Sequence, residues 1–131
     1  MIGLDTNLMM RYLVQDDPKQ SKQAEQLIEK HCSQESPGYI ALIVLCELVW
    51  VMRRAYGYEK SMVVKVLDQL LTTAELVIQD EEIARKALEA YQAGQADYAD
   101  YVLIFTNHYA GCPVTYSFDR KLAKHQYAAL P

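Results

Sequence analysis

No long hydrophobic run occurs in this 131-residue chain. The longest apolar stretch, 39–52, is too short to span a bilayer and carries Glu47 within it. Nothing before Asp5 resembles a basic, apolar leader, so no signal peptide and no membrane association are expected. Cysteine is scarce: Cys32, Cys46 and Cys112 are odd in number and lack C-x-x-C spacing, which excludes a disulfide framework or a cysteine-rich zinc site. Two of the three lie among apolar neighbours and are expected to act as small buried hydrophobes, with the reducing cytoplasm as compartment. Five glycines and four prolines are too few for a collagen-like or low-complexity chain. Positive charge is also in deficit, 13 basic against 17 acidic residues for a net charge of -4, which excludes a broad electrostatic clamp on duplex DNA. Carboxylates that hold cations remain compatible with that balance.

What is present has the balance of a globular protein, 51% hydrophobic and 23% charged. A chain of this length buries roughly two-thirds of its unfolded surface, and one domain over 1–131 is expected. Ile2 to Leu4 reads as a short buried strand, with Asp5-Thr6-Asn7 supplying cap chemistry for a helix over 8–14. Asp17 and Pro18 begin a second helix as N-cap and first helical residue. After Ser36-Pro37-Gly38, residues 39–42 suit a strand, and a buried helix runs on to about Tyr56, where Gly57 stops it. Met62, Val63, Val66, Leu67, Leu70 and Leu71 form one helical stripe. Residues 75–79 form a strand, and Asp80-Glu81-Glu82 start a helix with acids where its dipole favours them. Gly94-Gln95 interrupts it, and a further helix runs from Asp97 to near Gly111. A β-rich run, 112–117, leads to Asp119 and a short basic helix. Strands alternating with helices predict an α/β fold with a parallel sheet covered on both faces.

Ligands of open α/β sheets gather beyond the carboxyl ends of the strands. Asp5 closes the first strand and Asp119 the last, which places both at that edge, although either alone suits a turn or cap. Glu47 is the sole acid or base in 39–52, flanked by Val44, Leu45, Leu48, Val49 and Val51. An unpaired carboxylate on so apolar a helix costs several kcal/mol, on the order of the desolvation penalty of one ion. A narrow wet stripe, or pairing with Arg53 or Arg54, would relieve it. Asp97 and Asp100, three apart, share one face of a helix start, where like charges repel. A capping Asp97 with a solvated Asp100 is the simpler account of that pair. Taken together, these are oxygen ligands without histidine or cysteine, a set suited to Mg²⁺ or Mn²⁺ and hence to phosphodiester hydrolysis.

Four segments, LDTNLMMRYLVQDDP (4–18), LCELVWVMRRAYG (45–57), ADYADYVLIFTNHYAGC (96–112) and TYSFDRKL (115–122), carry a resemblance to the PIN-domain ribonucleases and, within them, the VapC-type toxins. The resemblance aligns the family's four acids with Asp5, Glu47, Asp100 and Asp119, and an accessory acid with Asp97. Thr6 and Asn7 match the polar residues after the first acid; Ser117 stands where the family commonly has threonine. The resemblance implies a three-layer α/β/α sandwich with a mainly parallel central sheet. It also implies a Mg²⁺- or Mn²⁺-dependent endoribonuclease, usually a homodimer, and a cognate antitoxin that masks the site. Asp5, Glu47 and Asp100 would then be the principal metal ligands, with Asp119 and Asp97 completing a weaker position. Residues 58–95 show only generic helix patterning.

Other acid-bearing α/β folds fit poorly. A receiver domain needs an acidic pair after its first strand, whereas Thr6 follows Asp5; a haloacid-dehalogenase-like phosphatase needs an aspartate where Asn7 stands. The remaining alternative is a PIN-like module that binds RNA or protein without cutting. Of the ten tyrosines, most are expected in packing or interfaces rather than stacked on bases. Arg11, Arg53, Arg54, Arg120 and Lys121 are available to hold phosphates, or to stand as solvated surface. His31, His108 and His125 lack metal-ligand spacing.

Overall fold

The computed structural model describes residues 1–131 and contains helices joined to short parallel strands, the α/β class expected. Contacts within the chain gather into two compact units, Met1–Glu81 and Glu82–Pro131.

In the first unit, β1 (Ile2–Gly3), β2 (Gly38–Ile40) and β3 (Leu76–Ile78) form a three-stranded sheet in that order. Both pairings are parallel, with Ile2 opposite Gly38 and Ile40 opposite Ile78. Parallel neighbours require long crossovers, and helices supply them. α1 (Thr6–Val14) and α2 (Pro18–His31) link β1 to β2, while α3 (Leu42–Arg54) and α4 (Lys60–Leu71) link β2 to β3. α1 packs on α2 and α3, and α3 on α4, around a core of Met9, Leu45, Leu48, Met52, Val63 and Leu67.

Helix starts follow the cap chemistry read from the sequence. Asp17 Oδ1 accepts from the Gln20 N–H at 3.1 Å with Pro18 in the first turn. Ala41, preceding α3, has no side chain able to cap; Gln79 Oε1, 37 residues away, accepts from the Leu42 N–H at 2.9 Å instead. That bond ties the end of β3 to the start of α3.

The second unit comprises α5 (Glu81–Ala93, its first residue shared with the boundary), α6 (Tyr98–Tyr109), β4 (Thr115–Tyr116) and β5 (Ala128–Ala129). The Tyr98 hydroxyl donates to the Ala84 carbonyl at 3.0 Å, and the Tyr91 and Tyr98 rings meet edge to face. Phe105 meets His125 and Tyr127 edge to face, and His108 stacks on Tyr127 at 3.8 Å. The histidines are thus packing groups here. β4 and β5 pair in parallel as a separate two-stranded sheet, so the last strand does not extend the sheet that contains β1. After Asp119, where a short basic helix was expected, only a 3₁₀ turn, Leu122–Lys124, forms, and β5 follows it where no strand was expected. Two alanines carry no alternation by which such a strand is read.

The thiols follow expectation in part. Cys32 is buried, Cys46 half-buried with its pKa pushed up to about 11 by burial, and Cys112 exposed. No helix is long and apolar enough to cross a membrane.

Gly38, at the centre of the three-stranded sheet, has no room for a side chain. A Cβ there would meet Leu4 Cδ1 at 2.7 Å and Cys32 Sγ at 2.9 Å, and both neighbours are buried. Gly38→Ala is expected to destabilise the protein by about 1–3 kcal/mol through overpacking. Gly3→Ala, with nothing within 4 Å, should leave the unfolding free energy near wild type. Chemical denaturation of both variants checks the contrast.

Candidate functional site

In the first unit, Asp5 follows β1 and is the N-cap of α1, its Oδ1 accepting from the Leu8 N–H at 2.9 Å. The cap fixes the side chain, and Oδ2 takes no part in it. The next residue, Thr6, donates its hydroxyl to Glu47 Oε1 at 3.1 Å, joining the first turn of α1 to the middle of α3 across 41 residues. Asn7 is exposed and, with Asp5, Arg11 and Gln20, lines a cleft of about 420 Å³.

Of the readings weighed for Glu47, burial in its apolar helix is corrected and the wet stripe holds: it is exposed, beside Ile43 and Trp50, which are 67% and 60% exposed. Apolar sequence does not guarantee burial, because a folded surface retains much apolar area. Nor do Arg53 and Arg54 neutralise it. Arg53 donates to the Tyr58 carbonyl at 2.9 Å, and Arg54 lies 5.9 Å from the Trp50 ring. Arg11 is committed as well, to Asp16 at 3.1 Å and Gln20 at 2.7 Å. The Tyr56 hydroxyl donates to Asp16 at 2.6 Å and, ahead of Arg11, holds that carboxyl below its usual range.

In the second unit, Asp97 is the N-cap residue of α6, but its side chain makes no capping bond. The simpler account of the Asp97–Asp100 pair, a cap beside a solvated acid, therefore fails at its first half. It fails at the second as well, since Asp100 is half-buried. Burial raises its pKa above the ordinary 3.8, opposed by the Asp97 backbone N–H and reinforced by the charges of Asp97 and Asp119. The structure thus brings Asp97 and Asp119 within electrostatic range of Asp100.

Asp119 is held by the turn it starts. Its Oδ1 accepts from the Lys121 and Leu122 N–H groups at 2.9 and 3.3 Å, again without using Oδ2. Ser117 Oγ accepts from the Asp119 N–H at 3.0 Å, so the hydroxyl at this position orients the acid's backbone. Asp5 and Asp119 are both caps, and each keeps one carboxylate oxygen outside its cap. Phe118, between Ser117 and Asp119, was not singled out by sequence reasoning; an aromatic in so polar a turn was the available signal.

No three His, Cys, Asp or Glu side chains of the structure gather into a metal-holding group. The donor chemistry nevertheless fits a hard divalent cation. The candidate side chains are carboxylates and hydroxyls, and the repulsion felt by Asp100 is what a cation would relieve.

The direction of that shift sets a pH dependence. The folded protein holds the Asp100 proton more tightly than the unfolded chain does. The contribution to stability is therefore present at low pH and lost as pH rises through the interval above 3.8. Asp100→Asn keeps an oxygen for the Asp97 N–H and removes the charge. In metal-free buffer it should be more stable than wild type at neutral pH, with the difference shrinking as pH falls toward the carboxylate range. Denaturant titrations across that range check it.

Comparison with curated proteins returns no match to this chain. A family model described as the PIN domain matches residues 2–126. Over nearly its whole length, then, the chain belongs to the PIN-domain family, whose members are generally nucleases that use a divalent metal.

Proposed function

We propose that this chain is a Mg²⁺- or Mn²⁺-dependent endoribonuclease, that residues 1–131 act as one domain, and that it serves as the toxin of a toxin–antitoxin pair. The observation that carries the reading is the half-buried Asp100 carboxyl under the charges of Asp97 and Asp119. Folding alone gains nothing from that arrangement, whereas cation-dependent chemistry requires it.

In this reading Asp5, Glu47 and Asp100 are the principal ligands, with Asp119 and Asp97 assisting. When bound, the divalent ion would activate water and offset charge on the scissile phosphate. The chain's own groups prepare for that. Thr6 holds one Glu47 oxygen, limiting the rotamers of an otherwise exposed side chain. The caps at Asp5 and Asp119 fix the direction of each carboxylate at the cost of only one oxygen. Ser117 fixes the Asp119 backbone, and Asn7 adds a polar group beside Asp5. An acidic surface of this kind repels RNA until cations are bound, which makes substrate binding conditional on the metal.

The family resemblance in the four motif segments supports the toxin role, with a cognate antitoxin masking the acids and a homodimer as the working form.

A fluorogenic RNA assay with and without divalent ions tests the central statement. Wild type should cleave only with Mg²⁺ or Mn²⁺. Asp5→Ala and Asp100→Ala should lose at least about a hundredfold in rate, the scale of removing one essential electrostatic group, while circular dichroism shows them folded. Metal-independent cleavage, or wild-type rates in either variant, would overturn the assignment. RNA binding without any cleavage would leave a PIN-like module that binds and does not cut.

A further inference from the structure

The chain has two phenylalanines, and they have opposite fates. Phe105 is 7% exposed in the core, whereas Phe118 is 86% exposed, more than any other large apolar side chain. A mobile loop does not account for this. On one side, the Ser117 N–H donates to the Ala129 carbonyl at 3.0 Å, continuing the β4–β5 pairing. On the other, the Asp119 side chain caps the turn at Lys121 and Leu122, and the Ala123 N–H donates to the Asp119 carbonyl at 2.9 Å. Leu122, just beyond, is buried. The backbone on both sides of Phe118 is hydrogen-bonded, yet its ring packs against no other aromatic and stands in water.

The neighbouring side chains share a chemistry. Tyr116 is 68% exposed, and Arg120 and Lys121 are exposed. Two aromatic faces, two cations and the acid Asp119 occupy six consecutive residues. Aromatic rings beside cations are the chemistry that grips single-stranded nucleic acid: bases stack on the rings and phosphates meet the charges. Presenting the ring from a hydrogen-bonded turn lowers the ordering cost of binding. A second protein copy is a poorer match, because two rings divided by charges fall far short of the roughly 800 Å² per partner that a stable interface buries.

We propose that Phe118, with Tyr116 beside it, is a stacking platform for an unpaired base of the substrate RNA, and that Arg120 and Lys121 hold the phosphates next to it. The inference rests on the nuclease reading above and adds to it a residue that positions the substrate. Adjacent residues lie only ~3.8 Å apart along the backbone, so a base on Phe118 brings its own phosphates beside Asp119. Bases in a duplex are already stacked on their neighbours, so the platform favours single-stranded or looped RNA. Ring stacking engages any base, so the preference for base identity is weak.

Binding of a fluorescein-labelled, unstructured, 2′-O-methyl-substituted RNA oligonucleotide that resists hydrolysis, followed by anisotropy with Mg²⁺ present, tests the platform without cleavage. Phe118→Ala should weaken binding about tenfold, Phe118→Leu should do the same, and Phe118→Trp should bind as wild type or tighter. Arg120→Ala and Lys121→Ala should flatten the salt dependence instead. In parallel cleavage kinetics, Phe118→Ala should raise KM far more than it lowers kcat. Wild-type RNA affinity in Phe118→Ala overturns the platform, even where wild-type cleavage upholds the nuclease reading. Loss of RNA binding in Phe118→Ala by a protein that never cleaves upholds the platform and refutes the nuclease. A change from dimer to monomer in Phe118→Ala by light scattering overturns the proposal and makes the ring an interface between copies.

Discussion

Carboxylates repel one another, and the repulsion strengthens as water is withdrawn. Asp100 experiences both effects. It is half-buried at the start of α6, with the charges of Asp97 and Asp119 acting on it, and its proton is held more tightly than in solution. A fold selected only for stability would have placed asparagine or an apolar residue there. The acids persist together because the backbone fixes them from separate elements: Asp97 and Asp100 from one helix start, Asp119 from the turn after β4. The cost is carried by packing elsewhere, such as the Tyr98 and Phe105 contacts that anchor α6.

In the first unit the acids are organised by a different means. Asp5 and Glu47 stand in solvent, where their charges are screened, and hydrogen bonds rather than burial set their directions. Thr6 is the pivotal residue. It follows the Asp5 cap, so the geometry that starts α1 also delivers a hydroxyl to Glu47 on α3. A local sequence rule, aspartate before a helix, thereby becomes a long-range constraint on a candidate ligand.

The helices were legible in the sequence because their signals are local: Asp17-Pro18 before α2, the apolar stripe of α4, and acids at the start of α5. The parallel strands β1 to β3 were legible from their alternation with helices. β5 was not, since Ala128 and Ala129 have neither β-branched character nor a pattern. The burial expected of Glu47 rested on a mistaken premise, because sequence shows that a helix is apolar and not which of its apolar residues face water; Ile43 and Trp50 do. The turn and cap alternatives for Asp5 and Asp119 proved real, but a cap uses only one oxygen and does not compete with a second task. The long-range bonds, Thr6 to Glu47 and Gln79 to Leu42, lay beyond reach because no spacing rule connects residues some 40 positions apart.

The proposal on which the account depends is that the Asp100 carboxylate helps to hold a divalent cation, and thermal unfolding with increasing Mn²⁺ measures it most directly. A ion that binds only the folded form stabilises it by about 2.7 kcal/mol at a hundredfold excess over its dissociation constant. The account requires the wild-type midpoint to climb with Mn²⁺ and to stop climbing once Asp100 is replaced by asparagine. A wild-type midpoint that stays fixed throughout the titration would contradict it.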